Sequence, residues 1–151
     1  MFEKAAAMKP TEEWITDNLA DGYRWNGQKE KSLATYDKAI ALGYKELQVN
    51  PRNANVMGDL ASYYAKKGDE PQAVEWMRRA RSIDPNSVQL MSQAAIVHAL
   101  ANRPEEALKD LREAFQKGYS VEEARREPEF KSLQNQPEFA GLLAEFGAAK
   151  K

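Results

Sequence analysis

The sequence predicts an all-α fold in which antiparallel helix pairs stack into a superhelix, closed by a short helical carboxyl-terminal cap. Three observations predict it: small, apolar and turn-forming residues recur every 34 positions, helix-start signals accompany that recurrence, and the composition is 42% apolar and 30% charged. That balance is too apolar for a disordered chain and too charged for a membrane span. At 151 residues the chain makes one domain, or a short array of like units, with enough material for a sizeable core.

The recurrence is read from its landmarks. Pro85 closes Ile83-Asp84-Pro85, Pro51 closes Val49-Asn50-Pro51 34 residues earlier, and Tyr119 stands 34 later, after Gly118. Met57, Leu60, Ala61, Tyr64, Gly68, Ala73, Met77 and Ala80 complete the unit that Pro85 closes. Adding 34 to each gives Met91, Ala94, Ala95, His98, Asn102, Ala107, Leu111 and Ala114. The pattern also slides back onto Thr16, Leu19, Ala20, Tyr23, Gly27, Ser32, Tyr36 and Ala39, provided that seven extra residues precede Pro51. Seven residues are close to two helical turns, so the second helix of this first unit is expected to run on through Leu47 and Val49. A left-handed cap at Gly43-Tyr44, which copies Gly118-Tyr119, is the alternative.

Local chemistry places the helices in order. Asn86 precedes Gln89, Asn102 precedes Glu105, and Ser120 precedes Glu123, each at the capping-box spacing. Pro71 and Pro104 fall in first turns, where a missing N–H costs nothing. Lys66-Lys67-Gly68-Asp69 supplies a turn between two helices. Ala73 and Ala80 share one face and let a neighbouring helix approach, while Leu60 and Tyr64 supply bulk on the facing side.

These landmarks resemble the tetratricopeptide repeat, a 34-residue unit of two antiparallel helices with spaced small and aromatic residues and a closing Pro. The resemblance covers Glu13 to Val121 and is best over Ala54 to Ser87. It departs at the usual early Trp, here Thr16, Met57 and Met91, and at the usual interhelical Gly, which is Asn102 in the last unit. It implies a right-handed solenoid. The expected division is a partial leading repeat over 1–12, repeats over 13–53, 54–87 and 88–121, and a helical cap over 122–151. An ordinary helical bundle is the alternative architecture.

Both ends carry expectations. Phe2, Ala5 and Pro10 fit the end of a second helix whose partner is missing, because Pro10 stands 34 residues before Tyr44. An uncovered repeat edge at the start, and a chain cut from or evolved out of a longer protein, are therefore expected. Near the other end Pro128-Glu129-Phe130-Lys131-Ser132-Leu133 recurs nine residues later as Pro137-Glu138-Phe139-Ala140-Gly141-Leu142. Each copy reads as a Pro-initiated helical turn able to cover the last repeat. This tail is similar to the ends of repeat arrays that follow kinase, cyclase or other sensory domains in bacterial signalling proteins. Gly147 to Lys151 is expected to fray.

Composition excludes several function classes. Lys and Arg number 22 against 23 Asp and Glu, a net charge of -1, so no bulk electrostatic drive toward nucleic acid or a membrane surface exists. The absence of Cys removes disulfides, thiolate metal sites and a Cys nucleophile, and the single His98 cannot build a multi-His metal site. No Gly-rich phosphate loop is present, so no cofactor is expected. His98 takes the place of Tyr64 one unit earlier and reads as packing rather than as a catalytic base. The pairs Glu12-Glu13, Glu105-Glu106 and Glu122-Glu123 read as first-turn charges that complement helix dipoles. Arg78, Arg79, Arg81, Arg125 and Arg126 read as solvated faces. The opening Met1-Phe2-Glu3-Lys4 lacks a targeting pattern, which makes a cytoplasmic location the default expectation.

Function is then a matter of surface. In a superhelix of helix pairs the first helix of each unit lines the concave side. Spacing selects Trp14, Asp17, Asp21, Arg24 and Trp25 in the first unit, Asn55, Ser62 and Lys66 in the second, and Gln89, Ser92 and Ile96 in the third. This mostly polar set with aromatic anchors suits an extended peptide. Trp14 and Trp25 have a second reading, as packing for the leading half-repeat. A subclass of the resembled family clamps carboxylate-terminal tails with Lys, Asn and Arg. Here the corresponding places hold Asp17, Asp21, Asp59, Gln89 and Gln93, so a basic or neutral protein or peptide partner is expected. A peptide-binding scaffold leads, self-association as a homodimer through the amino-terminal edge follows, and an enzyme comes last.

Overall fold

The structure is a computed structural model that describes residues 12–148; Phe2, Ala5, Pro10 and the last three residues lie outside the described residues. Within that range every regular element is helical. The first antiparallel pair is α1 (Glu12–Trp25) and α2 (Lys29–Val49), the second α3 (Ala54–Lys67) and α4 (Glu70–Ile83), the third α5 (Val88–Leu100) and α6 (Pro104–Gln116). A short α7 (Val121–Arg126), a 3-10 turn (Pro128–Leu133) and α8 (Pro137–Ala148) complete the cap. Besides the contacts within pairs, α2 packs on α3, α4 on α5 and α3 on α5. The pairs thus step along an all-α superhelix instead of gathering about one axis.

A repeated device ends the helices. Gly68 adopts a left-handed φ of 88°, and the N–H of Asp69 reaches back to the carbonyl of Tyr64 at 2.8 Å. Asn102 does the same with φ 60°, the N–H of Arg103 bonding the carbonyl of His98 at 2.9 Å. This is the orphan-carbonyl closure that a left-handed cap provides, and Asn tolerates that conformation nearly as Gly does. Asn102 therefore finishes α5 and does not open α6, whose N-cap is Arg103 with no side-chain cap bond. The start of α5 also differs from the sequence expectation, because Ser87 and not Asn86 accepts the N–H of Leu90, at 3.2 Å. Ser120 caps α7 as expected, accepting from Glu123 at 3.3 Å.

Gly43 lies inside α2, which runs on to Val49 as the seven-residue insertion predicts. Its place is set by packing: a Cβ there would stand 2.9 Å from Cδ2 of the fully buried Leu60. Two apolar clusters form the core. One joins α1 to α5 through Tyr36, Leu60, Met77, Leu90 and Val97; the other joins α5 to α8 through Ala95, Leu111, Phe130, Leu133 and Phe139. Lying between the two, α5 turns Leu90, Ala94 and Val97 to one cluster and Ala95 and Ala99 to the other. Its apolar residues are thus spread over more than one face, while Gln89, Ser92, Gln93 and His98 stay outside both clusters. The two Pro-Glu-Phe copies fold differently, the first as a 3-10 turn and the second as a three-turn helix reaching Ala148, yet both Phe130 and Phe139 are buried in the same cluster.

Candidate functional site

The first helices of the three pairs present one face each to a shared groove. Asp17, Asp21 and Trp25 come from α1, Asp59, Ser62, Tyr63 and Lys66 from α3, and Gln93 and Ile96 from α5; the spacings of three and four put each set on one helix face. Glu127, Pro128 and Glu129 form the remaining wall, and the residues enclose a cavity of about 260 Å³.

Lys66 is the hub of the polar side chains. Its Nζ lies 3.4 Å from Oδ1 of Asp17 and 3.0 Å from Oδ1 of Asp21, and 5.8 Å over the Tyr36 ring. Burial pulls its ammonium down, but the two aspartates outweigh burial and hold it above the usual lysine value. The hydroxyl of Tyr36, from α2, donates to Asp21. Burial and that bond push the Tyr36 phenol well above its ordinary range, so it remains a donor.

The carboxylates pull against their surroundings. Burial drives Asp17 up to about 6, opposed by Lys66 and aided by the charge of Asp21. Glu13, buried beside the groove, rises to about 8 through burial, although the hydroxyl of Tyr63 donates to its Oε1 at 2.7 Å; negative Asp59 and Glu46 add to the rise. Asp59 is raised by burial against a 2.9 Å bond from Nε2 of Gln93. The cavity wall thus carries five carboxyl groups, Asp17, Asp21, Asp59, Glu127 and Glu129, against the ammonium of Lys66 and, from beside the wall, the guanidinium of Arg24 on Glu129. Such a site favours a proton or an incoming cation. It lacks the paired nucleophile and oriented base that covalent chemistry needs, and no group of three or more His, Asp or Glu among the described residues is arranged to hold a metal ion.

Glu129 is the residue that local sequence reasoning did not place. It is 7% exposed and accepts two bonds from the guanidinium of Arg24, one of them from Nη1 at 2.8 Å. Burial raises its carboxyl, and Arg24 and Lys66 oppose the rise. Of the residues that spacing selected, Asp17, Asp21, Trp25, Ser62, Lys66 and Ile96 line the cavity, and Arg24 joins it through Glu129. Trp14, Asn55, Gln89 and Ser92 do not line it; Asn55 and Gln89 are exposed one turn ahead of Asp59 and Gln93. Tyr63 and Glu13 complete the polar arrangement without having been selected. Their signal was available, because Glu13, Asp17 and Asp21 repeat at a spacing of four.

Outside the groove, His98, expected as packing, and the arginines of α4, expected as a solvated face, make polar side-chain contacts. His98 is half-buried, and its Nδ1 sits 2.5 Å from Asp110 and its Nε2 3.2 Å from Glu106, polar contacts that join α5 to α6. Arg78 and Arg79 both bind Glu75 on the exposed face of α4. Among the described residues no helix is long and apolar enough to cross a membrane.

A superhelix of paired helices with a polar inner groove defines a helical-repeat protein. The profile of the tetratricopeptide repeat family matches residues 12–86, and the chain belongs to that family, whose members are protein-interaction modules. No curated protein matches the sequence. Among solved structures, the first tetratricopeptide repeat domain of Spaghetti (RPAP3), bound to the HSP90 peptide SRMEEVD, aligns over 92% of this chain and 93% of that chain, at 15% identity and a TM-score of 0.40.

Proposed function

We propose that this chain is a non-catalytic interaction scaffold that holds an extended peptide, or a segment of a partner domain, in the groove of α1, α3 and α5, and that it prefers a basic or neutral segment to an acidic one. The observation that carries the reading is the excess of carboxyl groups around the cavity, with Asp17 and Asp59 held above their ordinary range. A Lys or Arg side chain entering there replaces the missing countercharge, and Trp25 and Ile96 supply apolar contact beside it. Fluorescence anisotropy with matched lysine-rich and glutamate-rich peptides tests the preference. The basic peptide should bind more tightly, more so as pH rises through about 6 and Asp17 ionises. Asp17→Lys should abolish the difference, and tighter binding of the acidic peptide would overturn the reading. Self-association is the second reading, favoured by Ile15 and Leu19, exposed at 43% and 50% and four residues apart on α1. A solution mass that rises with concentration in the parent chain but not in Leu19→Glu distinguishes it.

A further inference from the structure

We propose that Glu127-Pro128-Glu129 is a strap across the groove, clasped shut by the pair of Arg24 with Glu129, and that a partner enters by releasing that clasp. The inference rests on the groove being the binding surface. Its first support is position. Arg24 and Glu129 are 105 residues apart, and their side chains join the last turn of the first helix to the cap, across the space that the inner helices leave open. The strap forms one wall of the cavity there.

The second support is that the cap does not need Glu129 for its own folding. Phe130 and Leu133, each 1% exposed, root the 3-10 turn in the second apolar cluster with Phe139 and Leu142. The equivalent acidic residue of the second Pro-Glu-Phe copy, Glu138, is exposed. Glu138 opens an α-helix and Glu129 a 3-10 turn, and of the two only Glu129 is turned inward, onto Arg24.

The third support is mechanical. Glu127 is extended, with φ -72° and ψ 113°, between α7 and the 3-10 turn, and its carboxylate accepts the N–H of Glu129 at 3.2 Å. Glu127 is thus the one non-helical residue between two rooted elements, a single hinge from which Pro128 and Glu129 start the 3-10 turn. A buried ion pair contributes little net stability because desolvation offsets its attraction, so opening the clasp costs little when both partners regain water or a new countercharge. A basic partner side chain can take the place of Arg24 on Glu129, which couples release to occupancy.

The chain has no Cys, so nitroxide labels can be placed at will. With labels on Asn26→Cys and, within the strap, Pro128→Cys, both exposed positions, pulsed electron resonance should give one narrow distance in the parent. Arg24→Gln and Glu129→Gln should each lengthen and broaden it, and the exchange Arg24→Glu with Glu129→Arg should restore it, which also shows that the fold survives. Addition of a lysine-rich peptide to the parent should move the population to the longer distance. A distance unchanged by both single substitutions, or unchanged while anisotropy reports peptide bound, would overturn the strap. If the substitutions lengthen the distance and no peptide binds, the groove reading fails and the clasp stands.

Discussion

At the scale of single residues, Glu13 decides how stability depends on pH. Its carboxyl is raised from 4.5 to about 8, first by burial and then by Asp59 and Glu46, while the Tyr63 hydroxyl opposes the rise. The folded state therefore keeps a proton that the unfolded chain releases near 4.5. Its contribution to stability is fully present below that value and is lost as pH climbs through about 8. The thermal midpoint should accordingly fall between pH 6 and pH 8. In Glu13→Gln, which keeps an acceptor for Tyr63 and cannot ionise, the fall should be much smaller and the midpoint at pH 8 higher than in the parent. A parent midpoint that rises over this interval would contradict the assignment. By adjacency Glu13 pairs with Glu12 as a first-turn charge, whereas helix phase sets it on the face of Asp17 and Asp21. The same phase rule that selected Asp17 and Asp21 passes through Glu13 one turn earlier.

At the scale of elements, the extended α2 and its neighbour α3 are matched through one pair of positions. Gly43 leaves room for Leu60, whose Cδ2 would lie 2.9 Å from a Cβ at Gly43. An interior Gly ordinarily costs a helix about 1 kcal/mol relative to Ala, so Gly43→Ala would be favourable if space existed. Against a fully buried Leu60 it should instead destabilise by about 1–3 kcal/mol through overpacking. Leu60→Ala alone should cost about 2–5 kcal/mol. In the double variant the new methyl group occupies part of the vacated space, so adding Gly43→Ala to Leu60→Ala should be neutral or stabilising. Urea unfolding of the four chains measures this coupling, and additive costs would exclude the contact. Most elements were legible because period and helix-start chemistry agree. The places where the reading slipped, Asn86 for Ser87 and Asn102 as a start and not a finish, lie within a residue of a cap. There an Asn serves a turn, an N-cap or a left-handed finish equally well, and the three-dimensional path of the chain chooses among them.

At the scale of the whole molecule, the recurrence made the solenoid legible, and the clasp was not. Contacts between neighbouring units follow from a 34-residue period, whereas the bond of Arg24 to Glu129 depends on how tightly the superhelix coils, a quantity summed over every intervening packing angle. The two apolar clusters follow from the stacking and predict a division of stability, since in a solenoid each unit is supported by its neighbours. Only α5 contributes to both clusters, Leu90, Ala94 and Val97 facing one and Ala95 and Ala99 the other. Leu133→Ala removes a fully buried side chain from the second cluster and should lower protection of the amides of α6, α7 and α8 by about 2–5 kcal/mol in native-state hydrogen exchange. Amides of α1 and α2 should keep their protection, because the affected cluster stops at α5 and a buried ion pair such as the clasp adds little net stability. A uniform loss across all helices would mean that the chain unfolds as one cooperative unit, with α5 transmitting the defect from one cluster to the other.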